Sequence, residues 1–166
     1  HREKRRSAGV RADRVAALVA AEPHEPWIVW CDTDYEADAL LEAMPAAIDV
    51  RGAMSAESKE ERLVAFSAGR QRVLVTKPSI AGFGLNWQHC ARVAFAGLSF
   101  SYESFYQAVR RCWRFGQQRP VDVHVCLTDA DAAIWRTIRR KQDDHGAMKA
   151  QMRAAMRRAA AATRTL

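Results

Sequence analysis

The chain has 166 residues, 49% of them apolar and 27% charged, with a net charge of +7. That length suits one domain with a proper core, and no apolar run approaches the roughly 20 residues of a bilayer span. The charge attracts polyanions, because phosphate contacts release counterions, although acidic proteins and anionic membranes satisfy it too.

The first stretch, HREKRRSAGVRADR, is basic and lacks the apolar centre of a secretory signal. It starts without Met, which points to a piece of a longer protein. A helix is expected over Ala12–Ala21 and strands over Trp27–Cys31, Ala47–Arg51, Arg72–Thr76, Arg92–Ala96 and Val121–Leu127. These strands are apolar nearly throughout, as parallel strands are when helices cover both sheet faces. Between them, Tyr35–Met44 has apolar residues at helical spacing and Pro45 as a stop. Glu57–Ser67 follows, with Ser55 or Ser58 as its N-cap. Ser101–Arg114 is a further helix, and a long helical tail starts near Asp131. The alternation implies βαβ units in an open parallel sheet. Ligands of such sheets bind at the carboxyl ends of strands, so the loops after Cys31, Arg51, Thr76 and Ala96 are where chemistry is expected.

In the tail, no acidic residue follows Asp144. Lys149, Arg153 and Arg157 form one stripe, with Met148, Met152 and Met156 beside it. This pattern fits a solvated helix whose Met face packs on the domain or a partner; it also fits a basic arm on nucleic acid. Cys31, Cys90, Cys112 and Cys126 show no zinc-ligand spacing and are expected as packing residues in a reducing, cytoplasmic protein without a structural metal. Trp27, Trp30 and Trp135 are expected as packing anchors. Trp87 and Trp113 either pack or stack on a base. His89 and His124 have no partner spacing for metal or triad chemistry, and Asp32 and Asp34 are expected as a turn and a helix cap.

Chemistry concentrates in Ser101–Pro120, SYESFYQAVRRCWRFGQQRP. On a helix, Gln107, Arg111 and Arg114 stand at i, i+4 and i+7 on one face. Paired guanidinium forks suit a phosphoryl group, and an amphipathic helix with an exposed Arg face accounts for them equally. Gly116 would let the chain turn away close to a ligand. Upstream, RVLVTKPSIAGFGLNWQHC carries Gly82 and Gly84 around Phe83. Such glycines offer backbone amides to phosphate, or simply make a tight turn. They form neither a dinucleotide-binding fingerprint nor a P-loop.

In this order the segments resemble a known family. Q-A-x-x-R-x-x-R-x-G-Q over Gln107–Gln117 is similar to motif VI of Swi/Snf-type superfamily 2 helicases, and A-G-F-G-L-N over Ala81–Asn86 to their motif V. Trp27–Leu40 resembles motif IV. Arg51, Gly52, Ser55, Arg62 and Phe66 resemble the segment that follows it, and RPVDVHVCLTDADAAI the closing strand and helix. YQAVRRCWRFGQ is especially similar to phage and prophage members. The chain departs from the family at Ala96–Ser104, AGLSFSYES, where members usually carry an acidic Trp-Asn-Pro stretch.

The resemblance implies an α/β, RecA-like open parallel sheet over 27–140. A basic segment with a lead-in helix precedes it over 1–26, and a basic helical extension follows over 141–166. It implies the second lobe of an ATP-dependent helicase or translocase, with Arg111 and Arg114 as arginine fingers and Gln107, Gly82, Gly84 and Asn86 at the ATP cleft. Arg51, Ser55, Thr76 and Lys77 would contact nucleic acid, expected to be double-stranded DNA. ATP and Mg²⁺ would be held mainly by an N-terminal RecA-like lobe in cis, since no G-K-[ST] loop or D-E-x-H box occurs here; without that lobe the chain is expected to be inactive. The alternative is a non-catalytic nucleic-acid-binding module that keeps the fold.

Overall fold

A computed structural model describes residues 2–80 and 85–163, and side chains to Arg153 and Ala154 in the last helix. Helices α1 (Arg2–Arg6) and α2 (Ala8–Ala21) precede β1 (Trp27–Trp30), α3 (Asp34–Ala43), β2 (Ile48–Val50), α4 (Ala56–Ser67) and β3 (Val73–Thr76). Then come β4 (Arg92–Phe95), α5 (Tyr102–Val109), β5 (Asp122–Val125), a 3₁₀ turn (Asp129–Asp131) and α6 (Ala132–Thr163). The five strands form one sheet in the order β2-β3-β1-β4-β5, and every pairing is parallel. Ligand-size crevices in such sheets open where the strand order reverses, here around the carboxyl ends of β1, β3 and β4.

Side chains alternate across the pleat. Ile28, Trp30, Leu74, Val93 and Phe95 join one buried cluster with Phe66 of α4, Ala108 of α5, and Ile134 and Ile138 of α6. Trp27, Val29, Val73, Val75 and Ala94 join a second with Val15 and Val19 of α2 and Leu40 of α3. Helices therefore cover both faces, as the apolar strands require. All four cysteines are free and buried. β5 is shorter than expected: it lies at the sheet edge, half of it exposed.

Local sequence explains the helix starts. The Ser55 hydroxyl accepts the Ser58 amide at 3.2 Å and begins α4. At α3 the cap is Thr33, flanked by the two aspartates expected there, and the Glu36 carboxylate accepts the amides of Asp32 (2.8 Å) and Thr33 (3.0 Å).

The largest departure lies in α5, which stops at Val109 instead of reaching Arg114. The Arg111 carbonyl, which a continuing helix would present four residues on, instead accepts the Trp87 amide at 3.0 Å. Tight bonds from the Arg111 amide to Ala108 and from the Cys112 amide to Val109 close the helix end. In α6, Met148 and Met152 are half exposed.

Candidate functional site

Three adjoining depressions form one groove from the strand ends along α5. The first, about 100 Å³, lies between Cys31 and Asp32 after β1, Lys77 after β3, and Gly97 after β4. Pro78, Ser79 and Ser104 continue it toward Gln107 and Arg111. The last, about 260 Å³, is lined by Gln107, Arg110, Arg111, Arg114 and Phe115. The helix break therefore does not scatter the three residues expected on one face: the turns after Val109 return Arg111 and Arg114 to the groove that Gln107 lines.

The loop carrying the arginines is pinned from behind. The Gln117 amide nitrogen reaches the carbonyls of Gln88 (3.0 Å), Cys90 (3.2 Å) and Cys112 (3.2 Å). Gln88 donates in turn to the Phe115 carbonyl. Gly116 has φ +93°, and a Cβ there would meet the Gln88 side-chain nitrogen at 2.6 Å. Both the conformation and the space call for glycine.

Among the described residues, no carboxylate lies within 4.0 Å of Arg110, Arg111 or Arg114. Burial and the neighbouring charge of Arg114 lower the Arg111 pKa from its ordinary value. A guanidinium stays charged regardless, so the cost of crowding two cations persists until an anion arrives.

The other expected residues are placed differently. Lys77 lines the strand-end cavity and pairs with Asp34 at 2.9 Å; its hydrogen bond holds the Asp34 carboxyl below the usual range. Burial opposes the Arg51 charge, but Asp38 (2.7 Å) and Asp49 (2.5 Å) overcome it and raise its pKa. Ser55 is exposed at the start of α4. Thr76 is buried, and its hydroxyl donates to the Val50 carbonyl at 2.9 Å, so its place is the core rather than a contact surface. Asn86 is exposed and does not line the groove, and Gly82 and Gly84 lie outside the described residues. Trp87 is fully buried, its indole donating to Ser67 at 2.8 Å, whereas Trp113 is 53% exposed.

A charged cluster beneath the strand ends goes beyond the residues expected from sequence. Arg11 and Glu36, each 2% exposed, approach to 2.8 Å; Asp131 lies 3.9 Å from Arg11, and Lys4 donates to the Leu98 carbonyl at 2.9 Å. Gly97 accommodates this pair, since a Cβ there would meet the Glu36 carboxylate at 2.1 Å. One signal lay in the sequence: Arg11 shares a helical face with Ala8, Ala12, Val15 and Val19, all buried. Arg110 and Phe115 also line the groove, beyond the residues expected there from sequence.

Solved structures share this architecture. The C-terminal part of the Fun30 ATPase domain matches with a TM-score of 0.67 at 17% identity, over 77% of this chain and 44% of that one. The C-terminal domain of the DEAD-box protein Dbp5 matches at 0.68 and 16%, over 81% and 79% respectively. A variant of that domain from S. cerevisiae, bound to Gle1 and IP6, gives 0.70 and 16%, over 82% and 80%. No curated protein sequence matches. The chain thus spans less than half of the Fun30 chain, and the fold is that of a RecA-like helicase lobe. The helicase conserved C-terminal domain family matches residues 11–116, and the chain belongs to it. The match begins inside α2, whose buried face the structure builds into the core. No described helix is long and apolar enough to cross a membrane.

Proposed function

We propose that the chain is the second lobe of a Swi/Snf-type, phage-like, ATP-dependent translocase or helicase acting on double-stranded DNA, and that Arg111 and Arg114 are its arginine fingers. The observation that carries this reading is the pair of guanidinium groups without carboxylate partners, one of them partly desolvated, in a groove that Gln107 also lines. Such a groove fits the phosphate end of ATP; the carboxylates that hold Mg²⁺ would come from the first lobe. When bound, ATP supplies the phosphoryl group that is transferred. Arg111 and Arg114 neutralise negative charge developing on its oxygens, and Gln107 orients that end by hydrogen bonding. The motif resemblance alone assigns Asn86, Gly82 and Gly84 to the ATP side of the lobe; Asn86 is exposed outside the groove lining. Lys77, Arg51 and Ser55 form the backbone-contact surface, with Lys77 and Arg51 exchanging carboxylate partners for phosphates.

The test is nucleic-acid-stimulated ATP hydrolysis by the full-length parent carrying Arg111→Ala or Arg114→Ala. Turnover is expected to fall by roughly three orders of magnitude in at least one variant. Near-normal turnover in both would overturn the finger assignment and favour a non-catalytic binding module.

A further inference from the structure

On the opposite side of α5 from the arginine groove lies a second cleft, about 540 Å³, between α5 and α6. Its size is within the range of small-ligand sites, roughly 300–1,000 Å³. Tyr102, Tyr106 and His145 form a ring triangle whose three centroid separations are each 5.9 Å, and Trp113 continues the aromatic wall. Two cations stand on these rings: Lys149 Nζ is 5.6 Å from the Tyr106 centroid, and the Arg110 guanidinium is 5.5 Å from that of Trp113. Among the described residues neither cation has a carboxylate within 4.0 Å, and Asp143 is the one carboxylate in the lining.

Aromatic rings that carry unpaired cations match one chemistry closely: a strand whose bases are unpaired and whose backbone is anionic. Bases stack on aromatic rings regardless of sequence, while lysine and arginine track the phosphates. A duplex keeps its bases stacked on each other and cannot offer them to such a wall. We propose that this cleft binds an unpaired nucleotide of a single strand, on the far side of α5 from Gln107 and Arg111, with Arg110 standing between its Trp113 wall and the finger groove. An apolar protein segment would bury the same rings but leave Lys149 and Arg110 without counter-charge.

The experiment uses the 166-residue chain and three end-labelled probes of equal length: oligothymidylate, an abasic oligodeoxyribose phosphate, and a duplex. Oligothymidylate is expected to bind about tenfold more tightly than the abasic strand, at equal backbone charge. Trp113→Ala and Tyr106→Ala should erase that difference and Trp113→Phe retain it, with thermal melts verifying that each variant folds. Arg111→Ala should leave the difference intact, so loss of the finger assignment and loss of this site are separable. Equal binding of oligothymidylate and abasic strand overturns the proposal, as does a difference that survives both alanine variants. Either result would assign the aromatic face to a protein contact.

Discussion

Single side chains hold the arginine loop in place, and their removal has calculable effects. Gln117 serves three carbonyls with one amide group. Gln117→Ala leaves buried acceptors at Cys90 and Cys112 unserved and should lower stability by about 1–3 kcal/mol in urea unfolding. Gly116→Ala forces a left-handed conformation on a residue with a Cβ and should cost about 1–2 kcal/mol in the same assay, more if Gln88 cannot withdraw. At His89, burial holds the imidazole below its ordinary value of 6.5, although a bond with the Phe66 backbone acts the other way. The folded state therefore favours the neutral ring. The unfolded chain takes up the proton first as pH falls, so this contribution is complete above pH 6.5 and declines below it. Melting temperatures between pH 7 and about pH 5 should fall more steeply in the unaltered chain than in His89→Phe.

Among elements, α2 is coupled to the sheet through charge as well as apolar packing. Breaking the Arg11–Glu36 pair with Arg11→Met leaves a buried carboxylate alone and should destabilise by about 3–5 kcal/mol. Adding Glu36→Gln keeps an acceptor for the Asp32 and Thr33 amides and removes the orphaned charge. Guanidinium unfolding should show the double variant recovering much of the loss. The elements themselves were largely legible from the chain, because the strands are apolar runs and the helices carry a 3.6-residue period. The end of α5 was not. Nothing within Tyr102–Arg114 breaks a helix; the stop comes from Trp87, a remote amide that captures the Arg111 carbonyl. Arg111 and Arg114 could be singled out from spacing because two different backbone paths bring them to the same groove. The burial of the Thr76 hydroxyl was not legible either, because its partner is the Val50 carbonyl of β2, a neighbour that only the strand order supplies.

The whole molecule combines a net charge of +7 with thiols that lie entirely inside. Binding to duplex DNA should weaken as a straight line in log affinity against log salt, with a slope that counts the phosphates neutralised. Burial raises the Cys31 thiol to about 12, so it should resist alkylation at pH 8 until the chain unfolds, which mass spectrometry can follow. One further consequence follows from the Trp87 indole. Its ring nitrogen is moored to Ser67 at the end of α4, and its main-chain nitrogen grips Arg111. The helix that opens at Ser55 and the loop that presents Arg111 are thus tied through one residue, by one hydrogen bond on each side. Whatever tugs on that helix tugs on the arginine.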